Sequence, residues 1–241
     1  MSLSNNGKFK YNYKDPLIYG SSIRYASKPV SHTIVMLHGY GGNINSMCYY
    51  INYLNNNLEK HFNIKYIVPQ APHRKISCYN ASNNASNNAW YDYFTDYCNK
   101  EENINNDHVE TMDDKLKTIM DREVDDYSKV YLLGYSQGAC QALYTGISFP
   151  ETLGGIMSFR GHIITNTPNE INQHIWAYHG KQDDIIGFNV AEKSYKKYAK
   201  HLSIDFHRDE KLDHCKNSRK EMNSCLDWLT VRLTNGPDNQ N

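Results

Sequence analysis

The chain has 241 residues with 26 basic and 26 acidic side chains, for a formal net charge of zero. That length is ample for one α/β domain with a sizeable core, and the balanced charge supplies no field that would draw nucleic acid or an anionic membrane surface. Mean hydropathy is −0.73, the first fifteen residues are polar, and no apolar run approaches the length of a membrane span, so neither a secretory leader nor stable membrane insertion is expected.

In chain order, residues 1–13 read as a loose tail, and residues 17–26 read as a hairpin at an antiparallel edge of a sheet. Thr33-Ile34-Val35-Met36-Leu37 is a continuous apolar run, the pattern of a strand covered on both faces. It ends in the glycine-rich loop His38-Gly39-Tyr40-Gly41-Gly42-Asn43. Met47, Ile51, Leu54, Leu58 and Phe62 recur at helical spacing. Residues 64–68 read as the next strand, stopped by Pro69. Residues 73–89 form a polar, Asn-rich stretch, expected to be a surface loop because it holds little that can pack.

The aromatic cluster Trp90-Tyr91-Asp92-Tyr93-Phe94 brings the chain back to the body, and Val109, Met112, Leu116, Ile119 and Met120 mark another helix. Val130-Tyr131-Leu132-Leu133 is a strand that runs into Gly134-Tyr135-Ser136-Gln137-Gly138 and a helix to about Ser148. Strands are expected at 155–159, 175–178 and 203–206, with helices spanning Phe188 to Leu202 and Met222 to Leu233 and a loose tail at 235–241. Strand and helix alternate throughout, so the expected fold is a single α/β domain with a mostly parallel sheet and helices on both faces. Six cysteines are scattered without a Cys-x-x-Cys pair; with no leader expected, they read as free thiols in the cytoplasm.

The strand, Gly-x-Ser-x-Gly and helix together read as a nucleophile elbow, with Ser136 at the apex of a turn that only small residues at 134 and 138 permit. A neutral hydroxyl needs a base within hydrogen-bond reach, and that base needs an orienting carboxylate. In the chain order serine, acid, histidine, the carboxylates after a later strand are Asp183 and Asp184, in His179-Gly180-Lys181-Gln182-Asp183-Asp184. His201, His207 and His214 follow them. His214, in the loop between the last strand and the last helix, is the preferred base, because His201 and His207 read as surface positions. The backbone N–H of Gln137, directly after the serine at a helix N-terminus, is one expected oxyanion donor. No metal site and no cofactor are indicated, since His214-Cys215 has no partners at ligand spacing.

Leu37-His38-Gly39-Tyr40-Gly41-Gly42, Val68-Pro69-Gln70-Ala71-Pro72, Trp90-Tyr91-Asp92, Gly134-Tyr135-Ser136-Gln137-Gly138 and His179-Gly180-x-x-Asp183 follow one another in this order. Over residues 33–229 the chain thereby resembles the acyl-protein thioesterase and small carboxylesterase (phospholipase/carboxylesterase) family of α/β-hydrolases. The resemblance implies a serine hydrolase of esters or thioesters, with Ser136 as nucleophile, Asp183 rather than Asp184 as acid and His214 as base. It also implies Tyr40 as the second backbone oxyanion donor and Trp90 as a liner of the acyl pocket. The implied substrates are a small-molecule ester, a lysophospholipid or an S-acylated protein.

Some positions depart from the family pattern. Ser158-Phe159-Arg160-Gly161 stands where a small Ser-Gly pair is usual, and Lys211-Leu212-Asp213 replaces a glycine-containing approach to the histidine. Arg160 reads as solvent-facing; turned inward, it would pair with an anionic acyl or head group. The polar stretch 73–89 argues against a long acyl chain. The competing function, from another class, is a catalytically silent hydrolase fold that serves as an interaction module.

Overall fold

A computed structural model describes residues 9–12, 21–24, 29–79, 86–95, 103–169 and 171–236. Their order is β1 (Phe9–Asn12), β2 (Ser21–Arg24), β3 (His32–Leu37), α1 (Cys48–Leu58), β4 (Ile64–Val68), β5 (His73–Lys75) and β6 (Ser86–Asn88). Then come α2 (Asn106–Glu123), β7 (Val130–Tyr135), α3 (Gln137–Ile147), β8 (Gly155–Phe159), β9 (His174–Gly180), α4 (Phe188–Tyr198), β10 (Ser203–Asp209) and α5 (Arg219–Asn235). Eight strands form one sheet in the order β1-β2-β4-β3-β7-β8-β9-β10. The six from β4 to β10 run parallel, and β2 joins β4 antiparallel at one edge.

The apolar runs belong to strands covered on both sides, and alternate residues divide between two cores. Ile34, Met36, Tyr131, Leu133, Met157 and Trp176 pack with Tyr50, Ile51 and Leu54 of α1 and Met222, Cys225 and Leu229 of α5. Val35, Leu37, Val130, Leu132, Ile156 and Ile175 pack on the other side with Val109 and Leu116 of α2, Leu143 of α3 and Ala191 and Tyr195 of α4. Burying a side chain of this size contributes about 1.5–3 kcal/mol, so β3, β7, β8 and β9 are each anchored from both faces and their C-terminal ends have little freedom to move.

Those ends lie along one edge of the sheet. Leu37 is in register with Gly134, Tyr135 with Phe159, Phe159 with Tyr178, and Gly180 with Asp209. β3 also sits at the switch point of the topology, with β4 on one side and β7 on the other. A crevice opens at such a point because the connections leave in opposite directions. The loops after β3 and β7 therefore emerge side by side.

Three local differences from the sequence reading have plain causes. Phe9–Asn12, inside the stretch read as a loose tail, pairs with Ser21–Arg24, because backbone groups at a sheet edge are available to any extended segment. The partner expected for that strand, residues 17–19, lies outside the described residues. The Asn-rich stretch is not wholly irregular: His73–Lys75 pairs antiparallel with Ser86–Asn88 through main-chain bonds that need no apolar pattern. β10 runs on to Asp209, past the Phe206 suggested by the apolar residues, since its last three residues stay paired with β9.

Candidate active site

The turn between β7 and α3 is built by contact distances. A Cβ on Gly134 would lie 2.3 Å from the Gly138 carbonyl oxygen, and one on Gly138 would lie 2.3 Å from the Leu37 carbonyl oxygen. Both neighbours are backbone atoms and cannot step aside. Ser136 between them has φ +54 and ψ −124, a conformation that costs an L-residue on the order of 1–3 kcal/mol and persists only when its surroundings enforce it. Enforcement comes from Ser136 N donating to the Phe159 carbonyl at 2.9 Å and from α3, buried along its whole length. Although Ser136 stands at the N-cap position of α3, its side chain caps nothing.

Instead Ser136 Oγ lies 2.7 Å from His214 Nε2. His214 Nδ1 lies 2.9 and 2.8 Å from the two carboxylate oxygens of Asp183. A carboxylate only accepts, so Nδ1 carries the proton and Nε2 is left as an acceptor toward the serine hydroxyl. All three residues are buried. Asp183 Oδ1 also accepts the N–H groups of Ile185 and Ile186 at 3.0 and 2.8 Å. Burial alone would raise the Asp183 pKa, but hydrogen bonds from His179 and His214 outweigh it and hold the carboxyl well below its ordinary range.

Of the alternatives left open by the sequence, Asp184 and His201 are exposed, and His207 lies on β10 beside Asp205 at 3.1 Å. His179 is bonded within the same turn: its Nε2 donates to the Ile186 carbonyl at 2.7 Å and lies 3.3 Å from Asp183 Oδ2. It thus holds the turn that carries Asp183. Its spacing of four residues from Asp183 was the only available signal.

The loop after β3 passes against the elbow. A Cβ on Gly39 would meet the Tyr135 ring at 2.9 Å and Ser136 Cβ at 3.3 Å. Gly41 follows Tyr40 with φ +70, the left-handed region that favours glycine. His38 is structural: Ala71 N donates to its Nε2 at 3.1 Å, leaving Nδ1 to donate to the Gly39 carbonyl at 2.8 Å. The Asn-rich ribbon braces the same loop. Gly41 N donates to the Asn88 carbonyl, Asn88 Nδ2 to the Gly42 carbonyl at 2.8 Å, and Asn87 Nδ2 to the Tyr40 hydroxyl at 2.7 Å. Polar side chains there clamp backbone, a use that composition did not reveal.

Gln137 begins α3, where first-turn N–H groups have no intrahelical acceptor. Its side chain accepts from Trp90 N at 2.9 Å and donates to the Tyr91 carbonyl at 2.8 Å. Trp90 differs from expectation. It is wholly buried, and its indole N–H donates to the His38 carbonyl at 2.7 Å, so it supports the glycine-rich loop from behind and has no exposed face to offer an acyl chain.

Arg160 differs more. It points neither to solvent nor to a substrate: it is 1% exposed, because its charge is already spent. Nε and Nη2 donate to the two carboxylate oxygens of Glu221 at 3.1 and 2.5 Å, and Nη1 donates to the carbonyls of His214 and Lys216 at 2.7 and 2.8 Å. Asp213, in the unusual approach to the histidine, accepts the N–H groups of Cys215 and Lys216 at 3.0 and 2.9 Å and so shapes the same turn. Among the described residues, no group of three or more His, Cys, Asp or Glu is placed to hold a metal ion.

The chain is similar to proteins already known. The family described as Phospholipase/Carboxylesterase matches residues 19–233. A curated relative from Kluyveromyces lactis, acyl-protein thioesterase 1, is 24% identical over 88% of this chain and 98% of its own length. Among solved structures, Arabidopsis thaliana SOBER1 aligns with a TM-score of 0.75 at 22% identity, over 84% of this chain and 99% of its own. Zea mays acyl-protein thioesterase 2 aligns with a TM-score of 0.72 at 20% identity, over 88% and 98%; at such identities these two likenesses establish the α/β-hydrolase fold. With the family matched along almost the whole chain and the fold shared, the chain belongs to the phospholipase/carboxylesterase family of α/β-hydrolases.

Proposed function

We propose that the chain is a serine hydrolase that cleaves carboxylic esters or thioesters through an acyl-enzyme, with Ser136 as nucleophile, His214 as base and Asp183 as the orienting carboxylate. The observation that carries this reading is the unbroken relay of 2.7 Å from Ser136 to His214 and 2.8 Å from His214 to Asp183. Ser136 Oγ attacks the acyl carbonyl as its proton passes to His214 Nε2, and ionised Asp183 stabilises the imidazolium that results. The tetrahedral oxyanion faces the N–H groups of Gln137 and Tyr40, held by the braced loop. Collapse expels the alcohol or thiol, which takes the proton from His214. Water then gives a proton to the same nitrogen as its oxygen bonds the acyl carbon; the second tetrahedral intermediate collapses, breaking the bond to Ser136 Oγ, which takes that proton back from His214 as the acid leaves. Apart from that water, every group in these steps is the chain's own, so the proposed reaction calls for no cofactor.

Two observations bear on the substrate. The name of the Kluyveromyces lactis relative supports a thioester on a protein as one natural substrate class, beside small esters and lysophospholipids. The polar ribbon β5–β6 beside Tyr40 supports short acyl chains, since it offers no apolar cover. No helix of the described residues is long and apolar enough to cross a membrane. A cytoplasmic location, read from the thiols, is part of the same proposal.

The test is labelling of the purified protein with a fluorophosphonate. Labelling that disappears in Ser136→Ala is expected; no labelling, or labelling that survives the substitution, would refute the assignment and favour a silent module. Hydrolysis of p-nitrophenyl acetate, butyrate and octanoate should fall with chain length, and a maximum at octanoate would overturn the short-chain reading.

A further inference from the structure

The segment that carries His214 has no regular secondary structure between β10 and α5. Asp183 fixes the imidazole ring at one end, but something must fix the backbone from which the ring hangs. Three side chains do so. Asp213 takes the N–H groups of residues 215 and 216. Tyr135, the residue just before the nucleophile, donates its hydroxyl to the His214 carbonyl at 2.6 Å. Arg160 joins the His214 and Lys216 carbonyls through one nitrogen, and its guanidinium lies 5.0 Å from the Tyr135 ring centroid, while that ring lies 5.5 Å from the His214 ring. Glu221, whose N–H is capped by Ser218 at 3.2 Å, grips the other side of the fork.

The arrangement is costly in ways that stability alone does not call for. Arg160 is a non-glycine residue at φ +56, and its side chain and that of Glu221 are each 1% exposed. A buried ion pair is often no more stabilising than apolar residues of equal volume. What apolar residues could not do is hold two carbonyls and a carboxylate in one plane; a guanidinium can. That plane abuts the segment whose placement sets the 2.7 Å contact of His214 with Ser136.

We propose that Arg160, seated by Glu221, is a positioning residue for the base: through the carbonyls of His214 and Lys216 it sets where His214 Nε2 stands relative to Ser136 Oγ. The inference rests on the reading of His214 as base. It touches no substrate, so its effect falls on the chemical step and not on substrate binding.

The experiment compares wild type, Arg160→Lys, the double variant Arg160→Met with Glu221→Gln, and Ser136→Ala. It reads kcat and KM for p-nitrophenyl acetate per site titrated to endpoint with fluorophosphonate, together with the melting temperature. The double variant removes both charges at once, so no buried charge is left unpaired. Expected is a kcat per titrated site at least tenfold below wild type with KM within twofold; Arg160→Lys stays low as well, because an ammonium cannot span both carbonyls and the carboxylate. A merely structural pair would lower the melting temperature and the number of titrated sites but leave kcat per site within twofold of wild type, and that result overturns the proposal. Should the double variant not fold, Glu221→Gln alone decides: a drop of threefold or more in kcat per site supports the proposal, and an unchanged kcat overturns it. A wild type that is not labelled, or a Ser136→Ala variant that keeps its activity, would overturn the reading of the site itself; an active, labelled wild type with indifferent Arg160 variants would overturn the positioning role alone.

Discussion

Replacing Asp183 by asparagine should remove catalysis while leaving the site's shape almost intact, and the structure says why. The Oδ1 position accepts the N–H groups of Ile185 and Ile186 at 3.0 and 2.8 Å, so the single oxygen of an asparagine must take that place. Its NH2 then falls at Oδ2, 2.8 Å from His214 Nδ1 and 3.3 Å from His179 Nε2. The oxygen at Oδ1 stays 2.9 Å from Nδ1 but is already taken by two N–H groups, so the nearer NH2 sets the pairing, making Nδ1 the acceptor and moving the imidazole proton to Nε2. Nε2–H would then point at Ser136 Oγ, 2.7 Å away, and the serine proton would have no acceptor. Serine triads lose about 10⁴ in kcat on this change, equivalent to about 5 kcal/mol of transition-state stabilisation. KM should change little, because Asp183 is buried behind His214 and has no path to substrate. Steady-state kinetics on p-nitrophenyl acetate, with a melting curve to establish folding, checks it. A kcat within tenfold of wild type, or a loss carried by KM, would refute the assigned tautomer and with it the relay.

Gly138→Ala should destabilise at or beyond the upper end of the roughly 1–3 kcal/mol seen for overpacked cores, since the new methyl would sit 2.3 and 2.4 Å from the Leu37 and His38 carbonyl oxygens; a urea midpoint equal to wild type would contradict the packing argument. Asn88→Ala frees the Gly42 carbonyl, and losing one hydrogen bond of about 1 kcal/mol from the loop of the proposed donor Tyr40 should lower kcat about fivefold by the same conversion; an unchanged kcat would show that the ribbon does not hold the loop. Burial pushes the Glu221 carboxyl from 4.5 up to about 7, against the pull of Arg160. The folded protein therefore keeps a proton that the unfolded chain releases, so stability falls as pH rises from 4.5 to 7 and levels off above. Asp183, held below its ordinary range, works in the opposite sense, with stability lost only as pH falls through that range. The melting temperature of wild type relative to Glu221→Gln should thus decline across that window, and a flat difference would argue against the raised carboxyl.

How far this was legible before the structure differs residue by residue. Ser136 could be read because the elbow is local: Gly134 and Gly138 must be small for reasons contained within five residues and the strand beside them. That Asp183 and His214 meet Ser136 could be read because the order of the strands prescribes which loops meet, and the family pattern singled out Asp183 from Asp184. The role of Arg160 could not be read. Its partners lie 54 to 61 residues away along the chain, and nothing in Ser158-Phe159-Arg160-Gly161 tells whether a long cationic side chain leaves the protein or enters it. Trp90 was misplaced for a related reason, since an aromatic ring beside a site serves equally well as lining or as backing. The Asn-rich stretch looked featureless because hydrogen bonds to backbone carry no periodic signature.

The sequence by itself determined what is local or periodic: the alternation of strand and helix, the strand runs that divide between two cores, and the sharp turn at Ser136. These follow from backbone sterics and from hydrophobic spacing, both of which act over a few residues. Only the tertiary structure decided which polar groups meet across the top of the sheet, from the grip of Asn87 and Asn88 on the glycine-rich loop to that of Arg160 and Glu221 on the histidine segment. A buried donor must find an acceptor, but its identity depends on which distant backbone the fold brings within 3 Å, and that distance is a property of the packed sheet and not of any stretch of chain.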